Sequence, residues 1–422
     1  MTATLALPQH RAPAGSQLAG PDQVWTIGTP RLLAGLDRVA SLDLASHLAT
    51  HGPLPATDLP HLLGLLDASR LAGRGGAGFD FATKLRALAS RRRTVIVNGS
   101  ESEPASHKDR TLLRRTPHLV LDGAVTVAAV TGAARVIVAV HDRAAATAIE
   151  RAISERSDAR NLTVQLVSGG FVAGEARAVI RALNGGPAVP PGRRQHATAN
   201  GNLLANVETF AQLAILLRLG AARFASTGTH AEPGTTLITI SGAVTRPGVV
   251  EIPIGTPLSI VLSAAGAPDD LAAVITGGYH GSWVTPDPAL LLSRAGLTAA
   301  GATFGAGVLI ALDHSTCSLG ELGRVAAWLA AESAGQCGPC RFGLPALAAD
   351  VRAIYQGDAR AYDAAARHVQ VVDGRGACAH PDGTARFITS GLRLLQTEVH
   401  AHLGGGCGRP VRGMLPIQGV SA

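Results

Sequence analysis

Apolar positions along this chain follow two periods that alternate. Residues 94–98 (Thr94-Val95-Ile96-Val97-Asn98), 135–140 and 162–167 are short, β-branched apolar runs and predict buried strands. Residues 119–130, 143–154 and 174–183 carry apolar side chains at helical spacing and predict helices between them. Strands alternating with helices predict an α/β layer with a largely parallel sheet. Ligands in such sheets sit at the carboxyl ends of the strands. Residues 98–103 and 169–175 lie there.

The pattern changes near Pro233. Residues 235–240 and 249–252 are β-branched strands joined by a Pro-Gly turn, which predicts a hairpin. A short helix at 257–265 and a strand at 273–275 complete a small β-grasp-like module over 234–300. From Glu321 the period becomes helical, with stretches through 346–355, 362–371 and 384–400, and predicts a compact bundle over 321–403. Residues 1–70 read as an irregular arm with one or two helices, 71–230 as the α/β domain, and 404–422 as a tail.

Composition narrows the function. A chain of 422 residues holds two to four domains. No apolar run reaches the length of a membrane span, and the N-terminus lacks the continuous apolar region of a signal peptide. A cytoplasmic protein is expected, with any membrane link through a partner. The net charge is +7, but the basic residues are scattered and aromatics are only 3%, so stacking platforms for bases are scarce. Nucleic acid is therefore not an expected partner. Of 37 lysines and arginines only two are lysine, Lys84 and Lys108. A compact ammonium fits a tight phosphate site that a wide guanidinium does not.

The strongest local signal is Gly73-Arg74-Gly75-Gly76-Ala77-Gly78-Phe79, followed five residues on by Lys84. Glycines without a Cβ let the backbone come close to a ligand, and such a run before a helix leaves N–H groups for a phosphate. The spacing matches the dinucleotide fingerprint, but that motif follows a strand. The residues before it, 61–71, have helical leucine spacing. The run reads as a phosphate cradle distinct from a Rossmann turn, with a plain flexible turn as the alternative.

Five cysteines stand at 317, 337, 340, 378 and 407. The odd count in a chain with no secretory signal argues against a disulfide framework. Cys337-Gly338-Pro339-Cys340 with Cys378 in a second glycine-rich turn suits a metal centre lacking one ligand. His380, Cys317 and Cys407 are candidates for the fourth position, with zinc the ion that His380 would suit. Unligated buried thiols are the alternative.

Together these stretches resemble the NADH-binding flavoprotein subunit of respiratory complex I, a module shared with NAD-linked hydrogenases and formate dehydrogenases. The family's GRGGAGFP is Gly73–Asp80 here, its NADEGEPGTFKDR is residues 98–110, its CGEE is residues 173–176, and its NNVET is residues 205–209. Its SGxVxRPGVYEVPLGTPL is residues 241–258, and its ESCGKCTPCR is residues 332–341. The resemblance implies a Rossmann-like FMN-binding domain, then a β-grasp (SLBB-type) module and a helical iron–sulfur domain. It implies hydride transfer from NAD(P)H to FMN, then single electrons to a [4Fe–4S] cluster and on to a ferredoxin-like or quinone-linked acceptor. By the motifs, FMN contacts fall on Gly73, Arg74, Gly75, Gly76, Gly78, Lys84, Asn98, Glu101, Gly174, Glu175 and Asn206. NADH contacts fall on Phe79 and Glu103, and cluster ligands on Cys337, Cys340 and Cys378.

The chain also departs from the family. Ser100 replaces the aspartate of NADE, Ala205 the first asparagine of NNVET, and Ala176 the second glutamate of GEE. Ala87 replaces an aromatic after the cradle. The lysine and phenylalanine of the KPPF segment are missing near Val189-Pro190-Pro191-Gly192, and Ala334 replaces the first cluster cysteine. Each lost hydrogen bond removes about 1 kcal/mol of binding. Two functions compete: a divergent dehydrogenase, or an electron-relay or scaffold subunit that kept the fold and lost the nucleotide, with or without the cluster; a minor third has the β-grasp module as the active part, binding a small ligand.

Overall fold

The computed structural model describes residues 23–88, 93–192 and 201–417. The first 22 residues of the arm and Arg91-Arg92 of the arginine run lie outside them. The described chain opens with strand β1 (Val24–Thr26) and helices α1 (Leu44–His51), α2 (Leu59–Ser69) and α3 (Phe81–Arg86). Next come β2 (Thr94–Gly99), α4 (Lys108–Arg115), α5 (Pro117–Thr131), β3 (Arg135–Val140) and α6 (Arg143–Ser154). They are followed by β4 (Leu162–Leu166), α7 (Ala176–Leu183), β5 (Asn202–Asn206) and α8 (Val207–Ala225).

Strands β2 to β5 form a wholly parallel sheet in the order β4-β3-β2-β5. Alternation along a strand sends successive side chains to opposite faces. Val95, Val97, Val136 and Val138 therefore join the core with Leu119 and Phe210, from α5 and α8. Ile96, Ala139 and Leu204 face the other way, onto Val179 of α7. Gly123 lets α5 and α8 cross closely, because a methyl group there would run into the Phe210 carbonyl. The α1, α5, α6 and α8 layer is tied by Asp122, whose buried carboxylate meets Arg156 at 2.5 Å, Arg218 at 2.6 Å and His47 at 2.9 Å.

The second unit contains β6 (Thr235–Gly242), β7 (Gly248–Pro253), α9 (Leu258–Ala264), β8 (Leu271–Thr276), β9 (Ser282–Val284), α10 (Arg294–Ala299) and β10 (Val308–Asp313). Strands β6 and β7 pair as the predicted antiparallel hairpin. The full sheet has six strands in the order β1-β7-β6-β10-β8-β9. It thus draws one edge strand from the N-terminal arm and one inner strand from beyond residue 300. Glu251 fastens the arm: its fully buried carboxylate accepts from the N–H groups of Arg31, Leu32 and Leu33 at 2.9–3.0 Å and from Thr235 Oγ1 at 2.6 Å.

The bundle consists of α11 (Ser318–Ala331), α12 (Leu344–Tyr355), α13 (Arg360–Val372), α14 (His380–Leu394) and α15 (Gln396–Leu403). The single helix expected over 384–400 is two, separated at Leu395. Its core is continuous with the second sheet: Ile275, Trp283 and Ile310 pack with Leu322, Leu347 and Phe387. The expected tail is a strap. Its Gly413, Met414 and Leu415 N–H groups donate to Glu321, and Leu415 is fully buried. Among the described residues no helix is long and apolar enough to cross a membrane.

Candidate functional site

The glycine run is a closed turn between α2 and α3. An isolated bridge pairs Ala72 with Asp80, and Gly73 N–H donates to Phe79 O at 2.8 Å. A helix precedes it, as the leucine spacing predicts. Gly76 and Gly78 have φ of +87° and +62°, a conformation that side chains disfavour. A methyl group at Gly75 would stand 3.2 Å from Asn206 Cβ, so the turn lies directly on the start of α8. Arg74 N–H is taken by Thr209 Oγ1 at 2.9 Å. The N–H groups of Gly75, Gly76, Ala77 and Gly78 have no partner among the described residues.

Lys84, in α3, donates to the Leu204 carbonyl at 2.8 Å. Burial lowers its pKa, and no carboxylate pairs with it among the described residues. A half-buried ammonium without a counter-charge favours an anion beside it. Lys108 is different. It is buried against Asp109 at 2.8 Å and Glu208 at 3.0 Å, and these carboxylates outweigh burial to hold it protonated.

The loops after β2 and β4 meet as expected. Asn98 Nδ2 donates to Gly174 O at 3.0 Å, and a methyl group at Gly174 would collide with Ser100 O and Ser102 Oγ, each 2.5 Å away. Ser100 Oγ and Glu175 Oε2 are buried polar atoms without a protein partner. Other motif residues are held internally. Burial opposes the charge of Glu101, but Arg110, Ser106 and the Asp109 N–H hold it below the usual carboxylate range. Asn206 caps α8 and bonds Asp109 at 2.5 Å. Glu103 is buried and accepts from the Tyr279 N–H, in the second unit, at 2.8 Å. Phe79 is 53% exposed at the rim of the cradle.

Arg294 carries no sequence signal. It starts α10, and its Nη2 donates to Gly73 O at 2.9 Å, with Nη1 3.3 Å from Glu232. Its guanidinium lies against Gly78. Buried Arg74 donates to Pro233 O at 3.2 Å. The second unit therefore braces the back of the cradle.

The free N–H groups, the uncompensated Lys84 and the orphaned polar atoms of Ser100 and Glu175 fit a ligand with a phosphate and a hydrogen-bonding ring or polyol. FMN has those parts. Gly75–Gly78, Lys84, Asn98, Ser100 and Glu175 are the groups with capacity to hold it.

Cys337, Cys340 and Cys378 come together at the C-terminal end of α11. Cys340 sits in a π-helical turn, Pro339–Gly343. Burial and the Cys337 thiol push its pKa up to about 12, with Cys378 adding to the shift. Cys378 is raised by burial, then by the Glu175 carboxylate and the Cys337 thiol. Cys340 lies within hydrogen-bonding reach of the Cys337 thiol, and both Cys337 and Cys378 act on its charge, so the three thiols face one another. An all-thiol donor set of this kind fits an iron–sulfur cluster. The fourth-ligand candidates are placed elsewhere. His380 has both ring nitrogens engaged, by His280 and by the Leu329 carbonyl, each at 2.9 Å. Cys317 and Cys407 group with His402 instead.

The cysteine triad adjoins the flavin-side loops. Glu332, just before the triad, accepts from the Phe171 N–H at 2.8 Å, and Phe171 packs edge-on to Trp328.

Comparison with known proteins agrees with this arrangement. Residues 66–215 match the Nuo51 FMN-binding domain, 237–278 the SLBB domain, and 320–402 the NADH-ubiquinone oxidoreductase-F iron–sulfur binding region. The second NADH-quinone oxidoreductase F-subunit of Rhizobium meliloti (strain 1021) is 30% identical over 370 residues, covering 80% of this chain and 88% of that protein. The NADH-quinone oxidoreductase F-subunit of Mycobacterium tuberculosis (strain ATCC 25618 / H37Rv) is 30% identical over 397 residues, covering 86% and 89%. The crystal structure of the NAD+-reducing [NiFe]-hydrogenase in the air-oxidized state is similar with a TM-score of 0.77 and 27% identity, over 89% of this chain and 66% of that one. In the H2-reduced state the TM-score is 0.74 with 28% identity, and the chain spans 62% of that chain's length. With cradle, SLBB module and cysteine bundle in the same order, and with 88% and 89% of the two relatives' lengths matched, this chain belongs to the family of NADH-quinone oxidoreductase F-subunits.

Proposed function

We propose that this chain is the electron-input subunit of a larger oxidoreductase, oxidising NADH. The carrying observation is that Glu332, five residues before Cys337, accepts from the Phe171 N–H at 2.8 Å, which ties the cysteine bundle to the loop that leads to Glu175 at the proposed flavin pocket. Gly75–Gly78, Lys84, Asn98, Ser100 and Glu175 would hold FMN. Bound flavin supplies two-electron acceptance and one-electron release. Cys337, Cys340 and Cys378 would hold a [4Fe–4S] cluster, whose chemistry is one-electron storage.

The chain's own residues position and exclude. Lys84 offsets phosphate charge, and the cradle N–H groups fix its place. Phe79 offers an open aromatic face for the nicotinamide nucleotide. Glu332 accepts from the Phe171 N–H and Trp328 packs edge-on to its ring, which fixes the loop between the triad and Glu175. The acceptor we assign is a ferredoxin-type iron–sulfur subunit. It would dock near Phe342, 72% exposed and two residues from Cys340. A net charge of +7 favours an acidic partner and an association weakened by salt. Any membrane association would run through such partners.

Anaerobic titration of FMN-reconstituted protein with NADH tests this. Flavin bleaching at micromolar NADH supports it. A second reading, a relay or scaffold subunit without nucleotide, is favoured by Glu103 being engaged with Tyr279 and by Ala176. It gains if flavin binds and NADH leaves it oxidised.

A further inference from the structure

A second set of metal-ligating side chains lies at the other end of α11. Cys317 caps that helix, and His402 and Cys407 flank the glycine run that follows α15. Their ligand atoms, Sγ, imidazole nitrogen and Sγ, all lie within 4.8 Å of one another. Cys317 Sγ is 3.3 Å from His402 Nε2. A 14-residue helix rises about 21 Å, so this set is separate from the Cys337, Cys340 and Cys378 triad. We propose that Cys317, His402 and Cys407 form a site for a thiophilic divalent cation of the zinc class.

The ring orientation is already fixed for ligation. His402 Nδ1 is 2.7 Å from the Tyr355 carbonyl oxygen. A carbonyl only accepts, so Nδ1 carries the proton. In the neutral ring Nε2 then presents its lone pair toward the sulfurs. Zinc-binding histidines are oriented by this kind of outer bond. Cys317 stands at the N-terminus of α11, where its Sγ accepts from the Gly320 N–H at 3.3 Å; burial pushes its thiol up to about 12, so an ion bound there would displace its proton. Two thiolates and an imidazole are a soft donor set that suits zinc. The neighbouring carboxylate of Glu398 is not left over for the ion. It accepts from the Ser318 and Leu319 N–H groups and from Arg409. The fourth position falls to water or an exogenous ligand.

The site has a structural consequence. Gly405 and Gly406, at φ of +115° and +120°, turn the chain sharply after α15 and bring Cys407 back to Cys317. Beyond it the strap is tied to the same helix end by Cys317 N–H to Pro410 O at 2.8 Å and Gly413 N–H to Glu321 at 2.6 Å. A bound ion would cross-link α11, α15 and the strap. This inference does not depend on the flavin or the iron–sulfur reading.

The test uses the full chain, purified anaerobically, treated with chelator and titrated with Zn²⁺ or Co²⁺ alone. We expect about one zinc per chain that survives Cys337→Ser and is lost in Cys407→Ser. Co²⁺ should give a sulfur-to-metal charge-transfer band in the near ultraviolet that Cys407→Ser weakens and His402→Gln shifts. Zinc should raise the Tm of the parent chain, by mass action on the folded state, but not that of Cys407→Ser. Cys407→His, which keeps a ligand, should restore zinc binding. Three results would overturn the proposal: zinc retained in Cys407→Ser, both thiols freely alkylated with no ion taken up, or a Cys317–Cys407 disulfide in the anaerobic protein.

Discussion

The carboxylate of Glu103, from the loop after β2, accepts a hydrogen bond from the backbone N–H of Tyr279, 176 residues away, at 2.8 Å. This contact joins the parallel sheet's ligand end to the second unit. Burial pushes the Glu103 pKa from an ordinary 4.5 up to about 7, against the pull of the Tyr279 and Ala105 N–H donors. An unfolded chain ionises this group earlier than the folded one does. Between about pH 4.5 and 7 the folded state holds the extra proton, so this group's contribution to stability falls as pH rises through that window and levels off above it. The full effect is roughly 3 kcal/mol. Glu103→Gln keeps an acceptor for Tyr279 and removes the titration. Its Tm should match the parent near pH 5 and exceed it at pH 8. Parallel Tm curves across that range would refute the assignment.

Lys84 is the cation of the cradle that no carboxylate neutralises among the described residues. Its removal exposes the Leu204 carbonyl and breaks no ion pair among the described residues, so Lys84→Ala should leave Tm nearly unchanged. FMN affinity should fall about ten- to a hundredfold, the loss of a charge-assisted hydrogen bond. Lys84→Arg should not rescue it, because a planar fork does not fit a site shaped for an ammonium. Equilibrium fluorescence quenching of FMN measures both. An unaltered Kd in Lys84→Ala would remove Lys84 from the site.

How much of this was legible in the sequence depends on where each signal resides. Strands β2, β3, β6 and β7 are β-branched, so their own side chains announce them. Strand β5 is Asn-Leu-Leu-Ala-Asn and has no such signal. It is a strand because β2 offers it a parallel partner, Thr94 opposite Asn202. Strand β1 is three residues long and exists only as an edge of β7. The glycine cradle was legible because backbone freedom must be written locally, in glycine. Arg294 was not, since it reaches Gly73 across 221 residues of chain. The same holds for the metal-ligating set: Cys337 and Cys340 advertise themselves by spacing, whereas His402 meets Cys317 across 85 residues. The strap carries no local signal either, because its anchor is the buried carboxylate of Glu321 rather than anything in the strap itself.

Asp122 should be a stability determinant rather than a functional one. Burial would raise its pKa, but the hydrogen bond with His47 and the charges of Arg156 and Arg218 hold it far below the carboxylate range. Its contribution is present above the unfolded carboxyl pKa and is lost as pH falls through the folded one. Asp122→Asn leaves two buried guanidinium groups facing a neutral amide, at a cost of about 3–5 kcal/mol. Denaturant unfolding at pH 7 should show that loss, and the acid limb of the stability curve should flatten. A midpoint unchanged at pH 7 would mean that the arginines find other partners.

Ala334 offers the sharpest test of the cysteine bundle. It stands where the family's first cluster cysteine falls, three residues before Cys337. The three other candidates for the missing ligand are engaged elsewhere, His380 with His280 and Leu329, Cys317 and Cys407 with His402. A cube held by three thiolates has one iron without a protein thiolate, whereas four cysteines are the usual holding set. That iron is the one most readily lost to oxidation. Anaerobically reconstituted protein should therefore contain about four iron per chain and fall to about three in air, with the electron paramagnetic resonance signal changing accordingly. Ala334→Cys should hold all of its iron under the same exposure, and Cys337→Ser should lose it even without oxygen. If Ala334→Cys is as labile as the parent, residue 334 does not face the cluster. If neither protein takes up iron and sulfide, the triad is a set of reduced thiols, and the electron path must be sought outside this chain.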